Sequence, residues 1–366
     1  MPFEIVGMIG VKPDAAPGAA VHVIGGGIDQ DYLVRFARAH EAAGFDRVLV
    51  GYTSTSADGF LVTQYAAAHT DRLQFLLAHR PGFVAPTLAA RKAATLDHFT
   101  GGRVALHIIT GGSDFEQRRD GDFLDHDTRY RRTSEYLDVM RLAWASDGPF
   151  DYRGEYYQFE NASADVKPVQ QPAIPVYFGG MSGAALDVAG KHADVFALWG
   201  EPRAAVKEKM EEVLAAAAPH GRTPQFSVST RPIVAKTEGE AWDRARSILS
   251  NITGPAAGKE ALGPRPQAEG ARRLMEFAKQ GEIHDERLWM PIAAAAGGSG
   301  NTTALVGTPE QVAASLLAYY DIGVTTLLIR GFDPLNDAVE YGRELIPLVR
   351  EGVAQRQRTA AGATAR

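Results

Sequence analysis

The sequence predicts a (β/α)8 barrel, and three observations support this fold class. Short apolar runs alternate with longer amphipathic runs from residue 3 to residue 349, the pattern of βα units on a parallel sheet. The runs group into eight such units. No Pro- or Ser-rich linker divides the chain, and no strand is followed by the dinucleotide glycine fingerprint. Both absences argue against the competing fold, a doubly wound open sheet in two domains.

Each predicted strand is a short apolar run bounded by turn residues. The eight runs cover residues 3–9, 47–50, 73–79, 103–109, 175–178, 195–199, 226–235 and 326–329. Apolar spacing of three and four residues predicts the helices. They cover residues 31–43, 58–69, 86–99, 126–145, 184–192, 202–218, 238–250, 308–321 and 337–349. Gly44 ends the first helix, Pro86 opens the third, and residues 152–159 predict a surface ribbon outside the repeat.

The domain prediction is a single barrel over residues 1–350 with one long insertion. The insertion covers about residues 251–302, is rich in Gly, Pro and Ala, and contains one convincing helix at 269–279. Loops of this length in compact domains are usually functional or disordered, so we expect a lid that shields bound ligands from water. Residues 351–366, rich in Ala, Arg, Thr and Gln, predict a flexible tail.

Composition excludes several function classes. The 366 residues carry a formal charge of −6, which gives no basic stripe for nucleic acid. The absence of cysteine removes disulfides, thiolate metal sites and cysteine nucleophiles, and no histidine spacing predicts a metal site. There is no apolar stretch of about 18 residues and no signal-like N-terminus, so we expect a cytoplasmic protein with no membrane partner.

In a barrel the active site lies at the C-terminal ends of the strands. These ends carry aromatic, hydroxyl, glycine and histidine residues but few carboxylates, and neither a glycosidase acid pair nor a G-x-S-x-G elbow is present. Such a cavity suits a planar organic cofactor with a phosphate. The turn at 179–182 is the candidate phosphate loop, although a tight βα turn without a ligand has the same signature.

Motifs along most of the chain resemble the bacterial luciferase-like flavin monooxygenases, and within them the alkanesulfonate monooxygenase group most closely. The motifs occur in the family's order: PTLAARKAATLD at 86–97, GGR at 101–103, TG at 110–111, FLDH at 123–126, RY at 129–130, YFGG at 177–180 with Ser182, and WGEP at 199–202.

The resemblance implies a two-component monooxygenase. Such an enzyme takes reduced FMN from a separate NAD(P)H-dependent flavin reductase and reacts it with O2 to oxygenate a small organic substrate. In the sulfonate members the carbon–sulfur bond is cleaved, giving sulfite and an aldehyde. A homodimer or homotetramer is also implied. Three alternatives remain open: a coenzyme F420-dependent hydride-transfer enzyme of the same barrel superfamily, a monooxygenase with a non-sulfur substrate, and a flavin-binding barrel without turnover.

Candidate site residues follow from the strand ends and from the resemblance. The candidate catalytic residues are His107, Arg231 and Arg330. The candidate cofactor-binding residues are Ser56, His107, Thr110, Tyr130, Gly180, Met181 and Ser182. The candidate substrate-pocket residues are His79, Trp199, Ser229 and Phe332. A neutral His107 could donate a hydrogen bond to the flavin edge, whereas His79 has an alternative place as a hydrogen-bonded histidine under the third unit's helix.

Departures from the resembled group place a simple alkanesulfonate substrate in doubt. Ser56 stands for the group's cysteine, Ser229 and Arg231 stand for its strand-seven Arg and His, and Phe332 stands for its Tyr. Arg231 and Arg330 lie at the mouth ends of neighbouring predicted strands, where they could converge on a sulfonate or carboxylate. Each could instead pair with an acid such as Asp333 or Glu344. Without convergence, a neutral sulfone fits better.

Overall fold

A closed barrel of parallel strands forms the centre of the molecule. The computed structural model describes residues 2–13, 27–254 and 268–364. Its strands, numbered along the chain, are β1 (Glu4–Ile9), β2 (Arg47–Val50), β3 (Gln74–His79), β4 (Val104–Ile108), β5 (Phe150–Arg153), β6 (Gln158–Ala162), β7 (Val176–Gly179), β8 (Val195–Trp199), β9 (Gln225–Val234), β10 (Ile283–His284), β11 (Leu288–Trp289), β12 (Ala304–Gly307) and β13 (Thr326–Ile329). Eight of them close the barrel in the order β1-β2-β3-β4-β7-β8-β9-β13, and β13 pairs with β1. The predicted (β/α)8 barrel is confirmed.

Helices surround the barrel and bury their apolar faces against it. They are α1 (Gln30–Ala43), α2 (Gly59–Ala67), α3 (Pro86–Thr100), α4 (Asp114–Arg119), α5 (His126–Ala145), α6 (Gly183–His192), α7 (Arg203–Ala217), α8 (Glu238–Thr253), α9 (Glu269–Gln280), α10 (Pro291–Ala295), α11 (Pro309–Asp321), α12 (Pro334–Glu340) and α13 (Ile346–Thr364). Their ends follow local sequence signals: Asp29 caps α1, which ends at Gly44 with φ 85°, and Pro86 opens α3. The barrel strands are buried on both faces, as parallel strands require.

Strand β9 serves two sheets. Its first half pairs with β8 and β13 inside the barrel, from Gln225 to Thr230. From Arg231 to Val234 it pairs instead with β12, which pairs antiparallel with β11 and so continues to β10. A second apolar core of β9, α8, α10 and β12 side chains fills the space behind this extension.

The insertion contains more regular structure than the sequence predicts. Helix α9 appears where a helix was predicted, and β10, β11 and α10 follow it. Residues 255–267 lie outside the described part of the chain, and so does that part of the predicted lid. The predicted flexible tail differs from the structure, because α13 extends without a break to Thr364. An alanine-rich composition is compatible with this continuation, since Ala has the highest helix propensity.

No helix in the described ranges is both long and apolar enough to cross a membrane.

Candidate active site

Two connected cavities open at the C-terminal end of the barrel. The outer cavity, of about 460 Å³, lies between the strand ends and the loops that follow β4 and β7. The inner cavity, of about 250 Å³, extends down among the barrel strands. Six residues line both cavities: Tyr52, His107, Ile109, Ala197, Trp199 and Gly300. A ligand in the outer cavity therefore contacts the mouth of the inner one.

One end of the outer cavity is a helix N-terminus. Ser182 caps α6, and its Oγ accepts a hydrogen bond from the backbone N–H of Ala185 at 3.3 Å. Gly180, two residues before this cap, has a φ of 149°. Its backbone lies so close to Tyr130 that a Cβ would be 2.9 Å from the Tyr130 hydroxyl oxygen. Burial raises the pKa of Tyr130 to about 12, so its hydroxyl stays protonated at neutral pH and can donate. Backbone N–H groups at such a terminus favour an anion, and a phosphate fits this donor set.

His107 lies at the junction of the two cavities. It projects from β4, and burial lowers its pKa to about 4, so the imidazole is neutral near pH 7. Its Nδ1 is buried and has no hydrogen-bond partner among the described residues. An unpartnered buried ring nitrogen next to a cavity is a donor or acceptor that a ligand can satisfy.

Trp199 and the insertion form one wall. The Trp199 ring lies at the end of β8, and a Cβ on Gly270 would be 3.3 Å from it, so the start of α9 packs directly on the indole. Thr110 lies across the outer cavity and donates to the Thr133 hydroxyl at 3.1 Å. Ser229 lines the inner cavity from β9.

Helix α9 is held against the barrel by a buried ion pair. The carboxylate of Glu201 is 1% exposed, and Arg273 of α9 donates to both of its oxygens, with Nε at 2.9 Å from Oε1 and Nη2 at 2.7 Å from Oε2. The pairing raises the pKa of Arg273. The insertion is therefore anchored beside the wall that Trp199 and Gly270 form.

Four predicted site residues line neither cavity: His79, Ser56, Arg231 and Phe332. His79 points outward from β3: its Nε2 is 2.8 Å from the Tyr136 hydroxyl and its ring lies edge-on to Phe60. Burial lowers its pKa to about 4. This is the hydrogen-bonded alternative of the sequence analysis, and His79 lines neither cavity. Ser56 is turned into its own loop, where its Oγ donates to the carbonyl of Thr53.

The other two are Arg231 and Phe332, which stack on each other. Arg231 is fully buried, with its guanidinium 4.6 Å from the centre of the Phe332 ring and its Nε donating to the Asn301 carbonyl at 3.3 Å. Asn301 itself lines the inner cavity. Asn301 therefore lies between Arg231 and the cavity. At Arg231 strand β9 no longer pairs with the barrel strand β13 but with β12. The predicted convergence of Arg231 and Arg330 is not formed.

A cluster at the mouth of the outer cavity includes strand-end residues that are not among the candidate site residues. Arg80 donates to Glu116 at 2.7 Å and stacks on the Tyr52 ring at 4.5 Å. Tyr52 in turn donates to Asp120, and Glu116 accepts from the backbone N–H of Ser54. Tyr52 and Arg80 follow predicted strands directly, which is the available signal. Glu116 lies in a polar stretch between elements and offers none.

Together these features define a class of protein: a barrel whose outer cavity suits a planar, phosphate-bearing cofactor above an apolar inner cavity. Reduced or oxidised FMN fits the residues present. Gly180, Met181, Ser182 and Tyr130 would hold its phosphate, and His107, Thr110 and Trp199 would surround its ring. A side chain at position 180 would fill the cradle, since a Cβ there would be 2.6 Å from Ala185.

Comparison with known proteins agrees with this class. Residues 1–326 match the luciferase-like monooxygenase family, so the chain belongs to that family. This membership supports the expectation of a flavin-dependent monooxygenase.

Solved structures share the fold at low sequence identity. Riboflavin lyase RcaE, solved with modified FMN and its substrate riboflavin, has a TM-score of 0.76 at 16% identity, covering 96% of this chain and 92% of that one. DmoA from Hyphomicrobium sulfonivorans has a TM-score of 0.75 at 18% identity, covering 95% and 88%. An F420-dependent secondary alcohol dehydrogenase, solved with an F420–acetone adduct, has a TM-score of 0.68 at 18% identity, covering 95% and 99%.

Proposed function

We propose that the protein is the oxygenase of a two-component system. It takes reduced FMN from a separate NAD(P)H-dependent flavin reductase and uses O2 to oxygenate a small organosulfur compound, a sulfonate or a sulfone. For a sulfonate the balance is one O2, one reduced FMN and one substrate giving an aldehyde, sulfite, water and oxidised FMN. For a sulfone the sulfur product is a sulfinate. The observation that carries the proposal is the continuity of the α6 N-terminus, a neutral histidine and an apolar inner cavity.

Each group of residues has a separate role that follows from its place in the cavities. The α6 N-terminus and Tyr130 bind the phosphate and so fix the depth of the flavin in the outer cavity. Bound reduced FMN supplies the electrons that activate O2. His107, neutral and unpartnered at Nδ1, presents a hydrogen-bonding nitrogen where the two cavities meet. Trp199, covered by Gly270, excludes water from that point.

The inner cavity receives the substrate. Its described lining is mainly apolar, with one cation at Arg330 and hydroxyls at Tyr52, Tyr177, Ser227 and Ser229. His107 and Arg330 both line this cavity, so both can contact the substrate. Arg231 and Phe332 act instead as support for the β9–β12 connection, and neither reaches the substrate.

Turnover with a supplied flavin reductase tests the function. The purified protein, NADH, FMN and a reductase are given a panel of sulfonates and sulfones, and sulfite, sulfinate and O2 are measured. We expect substrate-dependent sulfite or sulfinate release that stops without O2. Failure to bind reduced FMN would contradict the proposal. Hydride transfer with F420 in the absence of O2 would favour the F420-dependent alternative. Light scattering of the same sample tests the expected homodimer or homotetramer.

A further inference from the structure

The inner cavity contains one cation and no carboxylate among its described lining residues. Arg330, at the end of β13, is that cation. Its Nη1 lies 2.9 Å from Met8 Sδ, its Nη2 donates to the carbonyl of Gly300, and its Nε is buried without a hydrogen-bond partner. No described carboxylate forms an ion pair with it. The guanidinium is therefore held in position by neutral groups only.

A buried charge without an oppositely charged partner lowers the stability of the folded protein. Desolvation lowers the pKa of Arg330 to about 10, yet the group remains charged near pH 7. Apolar residues of similar volume often replace even a buried ion pair without loss of stability, so folding does not require an unpaired charge at this position. A ligand anion would provide the missing partner, and the planar fork of a guanidinium matches a carboxylate or sulfonate.

Other charges near the cavity are already neutralised. Below it, Glu4 pairs with Arg47 at 3.1 Å and accepts a hydrogen bond from Tyr177, which closes the cavity floor. Above it, Arg80 is paired with Glu116 at 2.7 Å. Neither arginine is available to a ligand without losing its partner. Arg330 thus differs from both in lacking a carboxylate.

The rest of the inner cavity suits an apolar body. Its aliphatic lining includes Leu49, Leu76, Ala78, Ile109, Ala197, Leu198 and Leu328. At about 250 Å³ it is smaller than the cavities of about 300–1,000 Å³ that hold drug-sized ligands. The occupant is therefore small, with an aliphatic part and one charged end.

We propose that the inner cavity binds a small organic monoanion, a sulfonate or a carboxylate, whose acid group is bound by Arg330 and whose apolar part lies among the leucines. This inference rests on the proposed function and specifies the charge of its substrate. It also replaces the predicted pair of arginines by one, and it favours an anion over a neutral sulfone.

Calorimetric binding tests the proposal without turnover. The ligands are hexane-1-sulfonate, hexanoate and the uncharged hexyl methyl sulfone, each titrated into flavin-free protein and into protein saturated with oxidised FMN. We expect both anions, or the sulfonate alone if the acid group must be tetrahedral, to bind more tightly than the sulfone. In Arg330→Met the anion affinity should fall by about thirtyfold or more, while the sulfone affinity stays about the same.

Controls separate the possible failures. Arg330→Lys keeps a charge and should retain part of the anion preference, and Arg343→Met removes an exposed arginine outside the cavities and should change nothing. Equal binding of the sulfone and both anions to the wild type would overturn the proposal, as would unchanged anion affinity in Arg330→Met. A loss of anion affinity in Arg330→Met that occurs only in the FMN-saturated protein would assign the charge to the flavin and also overturn the proposal. Turnover of neutral sulfones alone would leave the proposed function standing and remove only this inference.

Discussion

Gly180 lies against the hydroxyl of Tyr130, so closely that a Cβ on the glycine would be 2.9 Å from the phenolic oxygen. The contact connects the turn after β7 to helix α5, and both line the outer cavity. Two parts of the chain that are 50 residues apart are thus fitted to each other at the proposed phosphate site.

Gly180→Ala should weaken FMN binding by about tenfold or more, because φ 149° is unfavourable for alanine and the new methyl group meets Tyr130 and Ala185. Fluorescence titration of FMN measures the effect. Gly239→Ala, where a Cβ on α8 meets nothing within 4 Å, is the matched control and should leave FMN binding unchanged. Equal affinity in the two variants would contradict the phosphate assignment.

Arg273→Ala should destabilise the insertion by about 3 kcal/mol, because it leaves the buried Glu201 carboxylate unpaired. Urea unfolding measures the free energy. The double variant Arg273→Met, Glu201→Gln should recover most of the loss, since no isolated charge remains. Without that recovery, the cost would have to be assigned to packing of the Arg273 stem rather than to the ion pair.

Bound FMN should protect the described part of the insertion from trypsin. Arg272, Lys279 and Arg287 are cleavage sites on or after α9, whose first turn lies over Trp199. We expect the predicted lid to close over the flavin, so cleavage at these sites slows with FMN while cleavage at Arg356 in α13 does not. Mass spectrometry of the fragments gives both rates. Equal rates at all sites with and without FMN would count against a lid.

His79→Gln should reduce the fall in the free energy of unfolding as the pH becomes acidic. The folded pKa of His79 is about 4, below its ordinary value of 6.5, so its contribution is complete above pH 6.5 and is lost as the pH falls towards 4. Between about pH 7 and about pH 5 this amounts to about 2 kcal/mol for one histidine. Urea midpoints at the two pH values measure it.

Glutamine at position 79 retains a donor for Tyr136 but does not titrate, and the exposed His220→Gln is the control. His40 and His192, whose pKa values burial lowers to about 4 and about 3, supply further pH dependence in both variants. If His79→Gln and His220→Gln have the same pH dependence as the wild type, His79 is not buried in its neutral form.

The sequence predicts the barrel well because the hydrophobic period and the length of each strand and helix are local properties of the chain. Strand β13 and helix α3 appear within a residue of their predicted positions, each bounded by its own turn or proline signal. The proposed phosphate turn at Gly180 and Ser182 is predictable for the same reason, since strand, glycine and helix cap are adjacent in the chain. Local signals therefore locate both the fold and the α6 end of the outer cavity.

The direction of side chains at strand ends is not a local property. Ser227, Ser229 and Arg231 share one face by alternation, yet only the two serines line the inner cavity. The difference arises because β9 changes partner from β13 to β12 at Arg231, and β12 lies more than 70 residues further along. The direction of His79 is also set by a distant part of the chain, because its ring nitrogen contacts the hydroxyl of Tyr136 on α5.

The change of pairing partner along β9 also gives the two halves of this strand different structural roles. Closure of the barrel needs only the first half of the strand, whereas the second half, with Arg231 stacked on Phe332, anchors the return of the insertion through Asn301. Substitutions in the second half of β9 therefore act on the cover of the cavities, whereas substitutions in the first half act on closure of the barrel. The two halves of one strand can thus be varied for different purposes.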